Sequence, residues 1–71
     1  MLSLAEHELS ILMCFAEGMT REETGDYLGM SEHSVRYAIG SLHNKLGTKN
    51  PAHAVAQAYH LGLLKPRRQQ V

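Results

Sequence analysis

The amino-acid sequence predicts an all-α fold of four helices, and three observations carry that expectation. Apolar residues recur three and four apart in successive blocks, no stretch sustains period-two alternation, and each block is bracketed by a start signal and a glycine. A chain of 71 residues has room for three or four short helices and not for an enclosed catalytic pocket. Below about 80 residues a single core supplies only a few kcal/mol of net stability. The chain therefore reads as one small domain, or as one domain cut from a longer protein.

The first helix is expected near residues 4–17. Ser3-Leu4-Ala5-Glu6 has the capping-box spacing, Leu9, Leu12, Met13 and Ala16 follow at helical intervals, and Gly18 is the stop. Thr20-Arg21-Glu22-Glu23 repeats the box and opens a second helix, near 20–28, that ends at Gly29. Ser31 caps a third helix near 32–46, with Glu32 favourably close to its positive end. Val35, Ala38, Ile39, Leu42 and Leu46 form its apolar stripe, and Gly47 closes it. Asn50 followed by Pro51 starts a fourth helix, near 51–61, because proline suits the first helical position; Gly62 lies past its end.

Composition excludes several function classes. The 44% hydrophobic and 20% charged content is that of an ordinary globular chain. No apolar run approaches the roughly 18 residues a membrane span needs. Met1 is followed by no basic, apolar and small-residue succession of a secretory signal. The lone cysteine, Cys14, cannot form an internal disulfide, which suits a reducing cytoplasm, and it reads as a packed core thiol rather than a nucleophile. Five histidines invite a metal reading, yet no Cys-x-x-Cys or His-x-x-x-His spacing exists, and His53 and His60 are two ligands at most. No Ser/His/acid triad can be assembled, because every acid lies in the first two helices or at the start of the third. The expectation is a protein that is not an enzyme and carries no cofactor or metal.

The overall neutrality conceals a division. All seven acids (Glu6, Glu8, Glu17, Glu22, Glu23, Asp26, Glu32) lie in residues 1–32, where Arg21 is the one base, a net −6. Residues 33–71 hold Arg36, Lys45, Lys49, Lys65, Arg67 and Arg68 and no acid, a net +6, together with His33, His43, His53 and His60. Such polarity points to a surface that faces a polyanion; two charged faces that only solubilise the chain are the bland alternative.

The second and third helices have the grammar of a helix-turn-helix. Gly29-Met30-Ser31 is a short connection in which glycine supplies the positive φ of a sharp turn. Gly25 is small where the second helix crosses the third, and Leu28, Met30 and Val35 are placed to bury the joint. Thr24 fits less well, at an inward position where an aliphatic residue is usual.

Several spaced blocks in register then carry a resemblance. Ala16-Glu17-Gly18, Leu28-Gly29-Met30-Ser31, Ser34-Val35-Arg36, Lys45-Leu46-Gly47, Lys49-Asn50, Ala54-Val55-Ala56 and Leu61-Gly62 together resemble the LuxR/GerE-type DNA-binding domain over about Leu4 to Leu64. The resemblance implies a four-helix LuxR-type helix-turn-helix domain over residues 1–64, followed by a basic flexible tail, 65–71. It implies that the third helix enters the major groove and that the fourth can pair two protomers. Departures from the family pattern accompany it. Ala5 and Glu6 replace the usual Thr-Pro, with Ser3 capping instead. Thr24-Gly25 replaces Ile-Ala, which should loosen the joint. Ala38 stands where histidine is common, and Gly40 where a polar or basic residue often helps to read DNA.

Opposite the apolar stripe of the third helix lie His33, Arg36, Tyr37, Gly40 and Asn44. Arg36 can fork two hydrogen bonds to guanine O6 and N7, or grip a phosphate. Tyr37 offers a hydroxyl and an aromatic edge near a thymine methyl, a solvated tyrosine being the alternative. Gly40 lets the helix lie closer to the bases. These three are the base-reading candidates. Thr20, Ser31 and Ser34 sit at helix starts, where hydroxyls and free amides hold phosphates, although Thr20 and Ser31 have capping roles in any case. His33, Asn44, Lys45 and Lys49 complete the phosphate candidates; a solvated basic face is their alternative. The tail Lys65-Pro66-Arg67-Arg68 either touches backbone phosphate or only aids solubility.

In the fourth helix Ala54, Val55, Ala58 and Leu61 can face the core, while Ala52, Ala56, Tyr59 and Leu63 make a second apolar side. A helix apolar on two sides needs a second partner, and small alanines permit close approach in a symmetric pair. Ala52, Val55, Ala56 and Tyr59 are therefore the dimer-contact candidates, an alanine-rich helix with weak self-association being the alternative. The expected function is sequence-specific binding of double-stranded DNA by a cytoplasmic bacterial transcription regulator, as a homodimer, with another LuxR-type regulator or RNA polymerase as further partners and no membrane. The competing expectation is a protein-binding module that inhibits a full-length regulator by heterodimerisation, its reading face damaged at Ala38 and Gly40.

Overall fold

Four helices follow one another in a computed structural model that describes residues 3–65: α1 Glu6–Ala16, α2 Arg21–Leu28, α3 Glu32–Leu46 and α4 Pro51–His60. No strand occurs among the described residues, so the all-α expectation holds, with each helix boundary within two residues of its expected position. The expected tail passes out of the described residues after Lys65, which is exposed; Pro66, Arg67 and Arg68 lie outside them.

Three of the four helix starts are built as their side chains dictate. Thr20 Oγ1 accepts from the Glu23 amide at 3.1 Å while Glu23 Oε1 accepts from the Thr20 amide at 2.8 Å, so two orphan donors are satisfied reciprocally. Ser31 Oγ accepts from the Ser34 amide at 3.1 Å, and Asn50 Oδ1 from the His53 amide at 2.9 Å, with Pro51 in the first turn. The first helix departs from expectation. Ala5, not Ser3, is the N-cap, and its backbone N–H donates to Glu8 Oε1 at 2.8 Å. Alanine has no oxygen to return the bond, so only half of the reciprocal pair forms.

The buried face of α1 is also turned from the expected one. Ile11 and Leu12 are fully buried, with Cys14 and Glu8 nearly so, whereas Met13 is 57% exposed and Ala16 is exposed. The cause is that α1 packs against all three other helices and is apolar at most positions from Leu9 to Ala16. Periodicity alone could not select its inner face. In α3 the stripe is as expected: Val35, Ala38, Leu42 and Leu46 are buried and Ile39 is partly so. In α4, Ala54 and Ala58 are fully buried and Val55 half-buried, but Leu61 is 46% exposed. Leu64 takes the place expected of Leu61, because the chain reverses after the helix and both Leu63 and Leu64 donate back to the Ala58 carbonyl, at 2.8 and 3.2 Å. The resulting core joins Ile11 and Leu12 of α1 to Ala38, Leu42 and Leu46 of α3, Ala54 and Ala58 of α4, and Leu64.

At the α2–α3 connection Gly29 has φ +69°, and both its own amide and that of Met30, at 2.9 Å, return to the Gly25 carbonyl. A Cβ on Gly25 would stand 3.0 Å from the Met30 carbonyl oxygen and 3.4 Å from Val35 Cγ2. The joint is thus closed down onto Gly25 rather than loosened there. The mismatch sits one residue earlier. Thr24 is completely buried and its Oγ1 has no hydrogen-bond partner. The thiol of Cys14 is near enough to feel that hydroxyl but is a weak partner for it. Burial raises the Cys14 thiol above its ordinary range, with Thr24 acting against this and Glu17 adding to it, which suits a packed core thiol.

Candidate nucleic-acid interface

α3 has two unlike sides. Its inner side is anchored in the core through Val35, Ala38, Leu42 and Leu46. On its outer side His33, Arg36, Tyr37, Gly40 and Asn44 are all exposed, so the structure brings together on one surface the residues that the spacing had aligned. Tyr37 is 76% exposed. A Cβ on Gly40 would meet nothing within 4 Å, so no contact inside the domain requires glycine there. Ala38, by contrast, is 2% exposed. It belongs to the core and not to a damaged reading face.

The hydroxyls at the helix starts are partly committed. Ser31 Oγ accepts from the Ser34 amide and donates to Ser34 Oγ at 3.0 Å, which leaves the Ser34 hydroxyl hydrogen free to turn outward. The Thr20 amide and one Oγ1 lone pair are engaged with Glu23, and the Thr20 hydroxyl hydrogen remains. Arg36 Nη2 donates to Glu32 Oε2 at 3.2 Å in an exposed pair one helical turn apart.

Lys45 is engaged within the domain. Its Nζ lies 2.8 Å from Glu8 Oε1, and the Glu8 side chain is 3% exposed against 37% for Lys45. Burial pushes the Glu8 carboxyl up, but the bonds from Lys45, from the Ala5 amide and from Ser41, with the Lys45 charge, outweigh burial and hold it below the ordinary carboxylate value. Lys45 therefore ties α3 to the start of α1. Nothing local announces the pair, since its members are 37 residues apart.

Lys49 and Asn44 are exposed, as is His53. His43 is part-buried, with Nδ1 2.8 Å from Thr48 Oγ1, an arrangement that closes the turn after α3. Burial, and then the neighbouring His53, lower its imidazole below the ordinary value, so His43 is neutral near pH 7 and adds no cation. Among the described residues no group of three or more potential metal ligands converges.

A wide groove of about 1000 Å³ runs between the end of α1, the start of α2, the middle of α3 and the start of α4. Phe15, Met19, Ile39, Ala52 and Val55 give it apolar walls, and Thr20, Arg21, Glu22 and Glu32 also line it. Of the dimer candidates, Ala52 and Val55 border this groove, and Ala52, Ala56 and Tyr59 are exposed, Tyr59 at 38%, with Val55 half-buried. Arg21, an exposed base of α2, lines the same groove. A cation in the first turn opposes the helix dipole, so local helix stability does not explain it; its position as the one base of the acidic half was the available signal.

A short helix, a glycine turn, and a second helix held from behind with its outer face exposed define a helix-turn-helix domain. The sequence matches the family described as "Bacterial regulatory proteins, luxR family" over residues 2–58. It is 32% identical over 69 residues to the transcriptional activator protein AhyR of Aeromonas hydrophila, covering 97% of this chain and 26% of that protein. It is 34% identical over 61 residues to the transcriptional regulatory protein YdfI of Bacillus subtilis strain 168, covering 86% of this chain and 29% of that one. With PhzR of Pseudomonas fluorescens, a transcriptional activator protein, identity is 33% over 60 residues, 84% of this chain and 25% of the other. The chain belongs to the LuxR family and corresponds to its DNA-binding domain, a regulatory and not a catalytic module. It spans about a quarter of the length of these relatives. No helix among the described residues is long and apolar enough to cross a membrane.

Proposed function

We propose that this domain binds double-stranded DNA in a sequence-specific manner, with α3 in the major groove, and regulates transcription in the cytoplasm of a bacterium. The observation that carries the reading is the outer face of α3, exposed along its length while the inner face is fixed in the core. Arg36, Tyr37 and Gly40 face the bases. Arg36 pairs with a guanine, and Gly40 lets the backbone approach closely. Thr20, Ser31, His33, Ser34, Asn44 and Lys49 meet the flanking phosphates, joined by Arg21 beside the groove; Lys45 stays with Glu8.

Two copies pair through the exposed side of α4, around Ala56 and Tyr59 with Ala52 and Val55 beside them, so that two α3 helices address an inverted repeat. RNA polymerase or a second LuxR-type regulator is a further partner.

Competition binding at several salt concentrations tests the reading. Arg36→Ala should lower discrimination at one base pair per half-site by about 1–3 kcal/mol. Lys49→Ala should weaken all duplexes alike and reduce the salt slope by about one unit. Ala56→Glu should convert dimer to monomer in sedimentation on DNA without loss of helix content. If wild-type protein binds no duplex in a salt-dependent way, the exposed side of α4 favours the other reading, a module that traps a full-length regulator as a heterodimer.

A further inference from the structure

The side chain that faces Arg36 across one helical turn is Glu32, the one acid of α3, 78% exposed at its side chain and 3.2 Å from Arg36 Nη2. A carboxylate beside a residue that reads DNA is a like charge against the phosphates, so its presence there calls for an explanation. Helix stability supplies part of one, since an acid in the first turn complements the helix dipole and a Glu four residues before an Arg is the favoured order.

The geometry supplies more. The single bond to Glu32 uses one hydrogen of Nη2 and leaves a complete two-donor edge of the guanidinium, which is what guanine O6 and N7 require. Without that tether the long arginine side chain is free to settle on any phosphate. With it, the pair carries no net charge and gains little from generic backbone, while the remaining edge keeps its match to guanine.

We propose that Glu32 is a positioning residue that determines specificity: it holds Arg36 for a guanine and withholds it from phosphate. This rests on the DNA-reading role of α3 given above. Affinity for generic DNA is lowered by the pair and discrimination is raised by it.

The test uses the wild-type domain and its preferred duplex, chosen from random sequences, against duplexes altered at each base pair. Glu32→Ala should tighten binding to random duplex about threefold, steepen the salt slope by about one unit, and reduce discrimination at the base pair assigned to Arg36 at least fivefold. In an Arg36→Ala background the same change should leave discrimination unaltered. Glu32→Gln, which keeps an acceptor without the charge, should restore part of the discrimination but not the shallow slope.

A thermal-midpoint shift with unchanged discrimination would reduce Glu32 to a helix-stabilising residue and overturn the proposal. A changed preference at a neighbouring base pair, persisting without Arg36, would make Glu32 a direct reader and overturn it equally. If Arg36→Ala itself leaves discrimination intact, the base-reading role of Arg36 fails first and the proposal falls with it. If Arg36→Ala removes discrimination and Glu32→Ala does not, the proposal alone fails.

Discussion

The inner and outer sides of the helix-turn-helix treat the same residue type in opposite ways. Gly25 in α2 and Gly40 in α3 both lie inside helices, where glycine costs about 0.5–1 kcal/mol relative to alanine. At Gly25 the space is taken, with the Met30 carbonyl 3.0 Å from where a Cβ would stand. At Gly40 nothing lies within 4 Å. The inner side is determined by contacts within the domain, through Val35, Leu42, Gly25 and the Lys45–Glu8 pair. The outer side carries exposed residues, with Arg36 paired to Glu32 within α3 itself, so no packing against another helix fixes them. Changes on the inner side should act on stability, and changes on the outer side on binding.

The largest expected effect lies at the seam between α1 and α3. Lys45→Ala leaves the buried Glu8 carboxylate without its cation and should destabilise the domain by about 2 kcal/mol, the exposure of Lys45 keeping the cost below that of a fully buried pair. The folded-state value of Glu8 is lowered, so its stabilisation is complete above the unfolded carboxylate value and is lost as pH falls through the folded one. Thermal melts on an acid series should therefore show a smaller loss in the variant than in the wild type. An unchanged melting midpoint at neutral pH would remove Lys45 from the inner side and return it to the phosphate contacts.

Next in size is Thr24→Val. It replaces an orphaned buried hydroxyl with a methyl of similar shape and should stabilise by about 1–2 kcal/mol, read as a rise in denaturation midpoint. A loss of stability would mean that the hydroxyl has a partner, Cys14 first among them.

The smallest effects sharpen the comparison itself. Gly40→Ala should stabilise by about 0.5–1 kcal/mol, since the helical gain meets no clash. Gly25→Ala has the same gain to make but must push the Met30 carbonyl away, and should end between no change and a loss of about 1 kcal/mol. Equal stabilisation by the two alanines would show that the joint yields freely and that the two sides are not distinct.

Most of the fold was legible because its signals are local. The caps at Thr20, Ser31 and Asn50 act over three residues, and the glycine at the α2–α3 turn acts on its own φ. At the start of α1 the local signal is ambiguous. Ser3 and Ala5 both precede a glutamate at box spacing, and only the placement of Glu8 in the core decides between them. The outer face of α3 was visible as a helical stripe, whereas Arg21 was not, because its relation to the groove depends on four elements meeting.

By itself the sequence determined the helices, their caps, the turn, and the division of α3 into an apolar and a polar side, all consequences of backbone geometry and interactions within one or two turns. Only the tertiary structure decided which arc of α1 is inside, which glycine is packed and which is open, and that Lys45 reaches the buried Glu8 carboxylate. Those outcomes turn on close packing and on the cost of burying a charge, and both are properties of residues that are distant in the chain and adjacent in space.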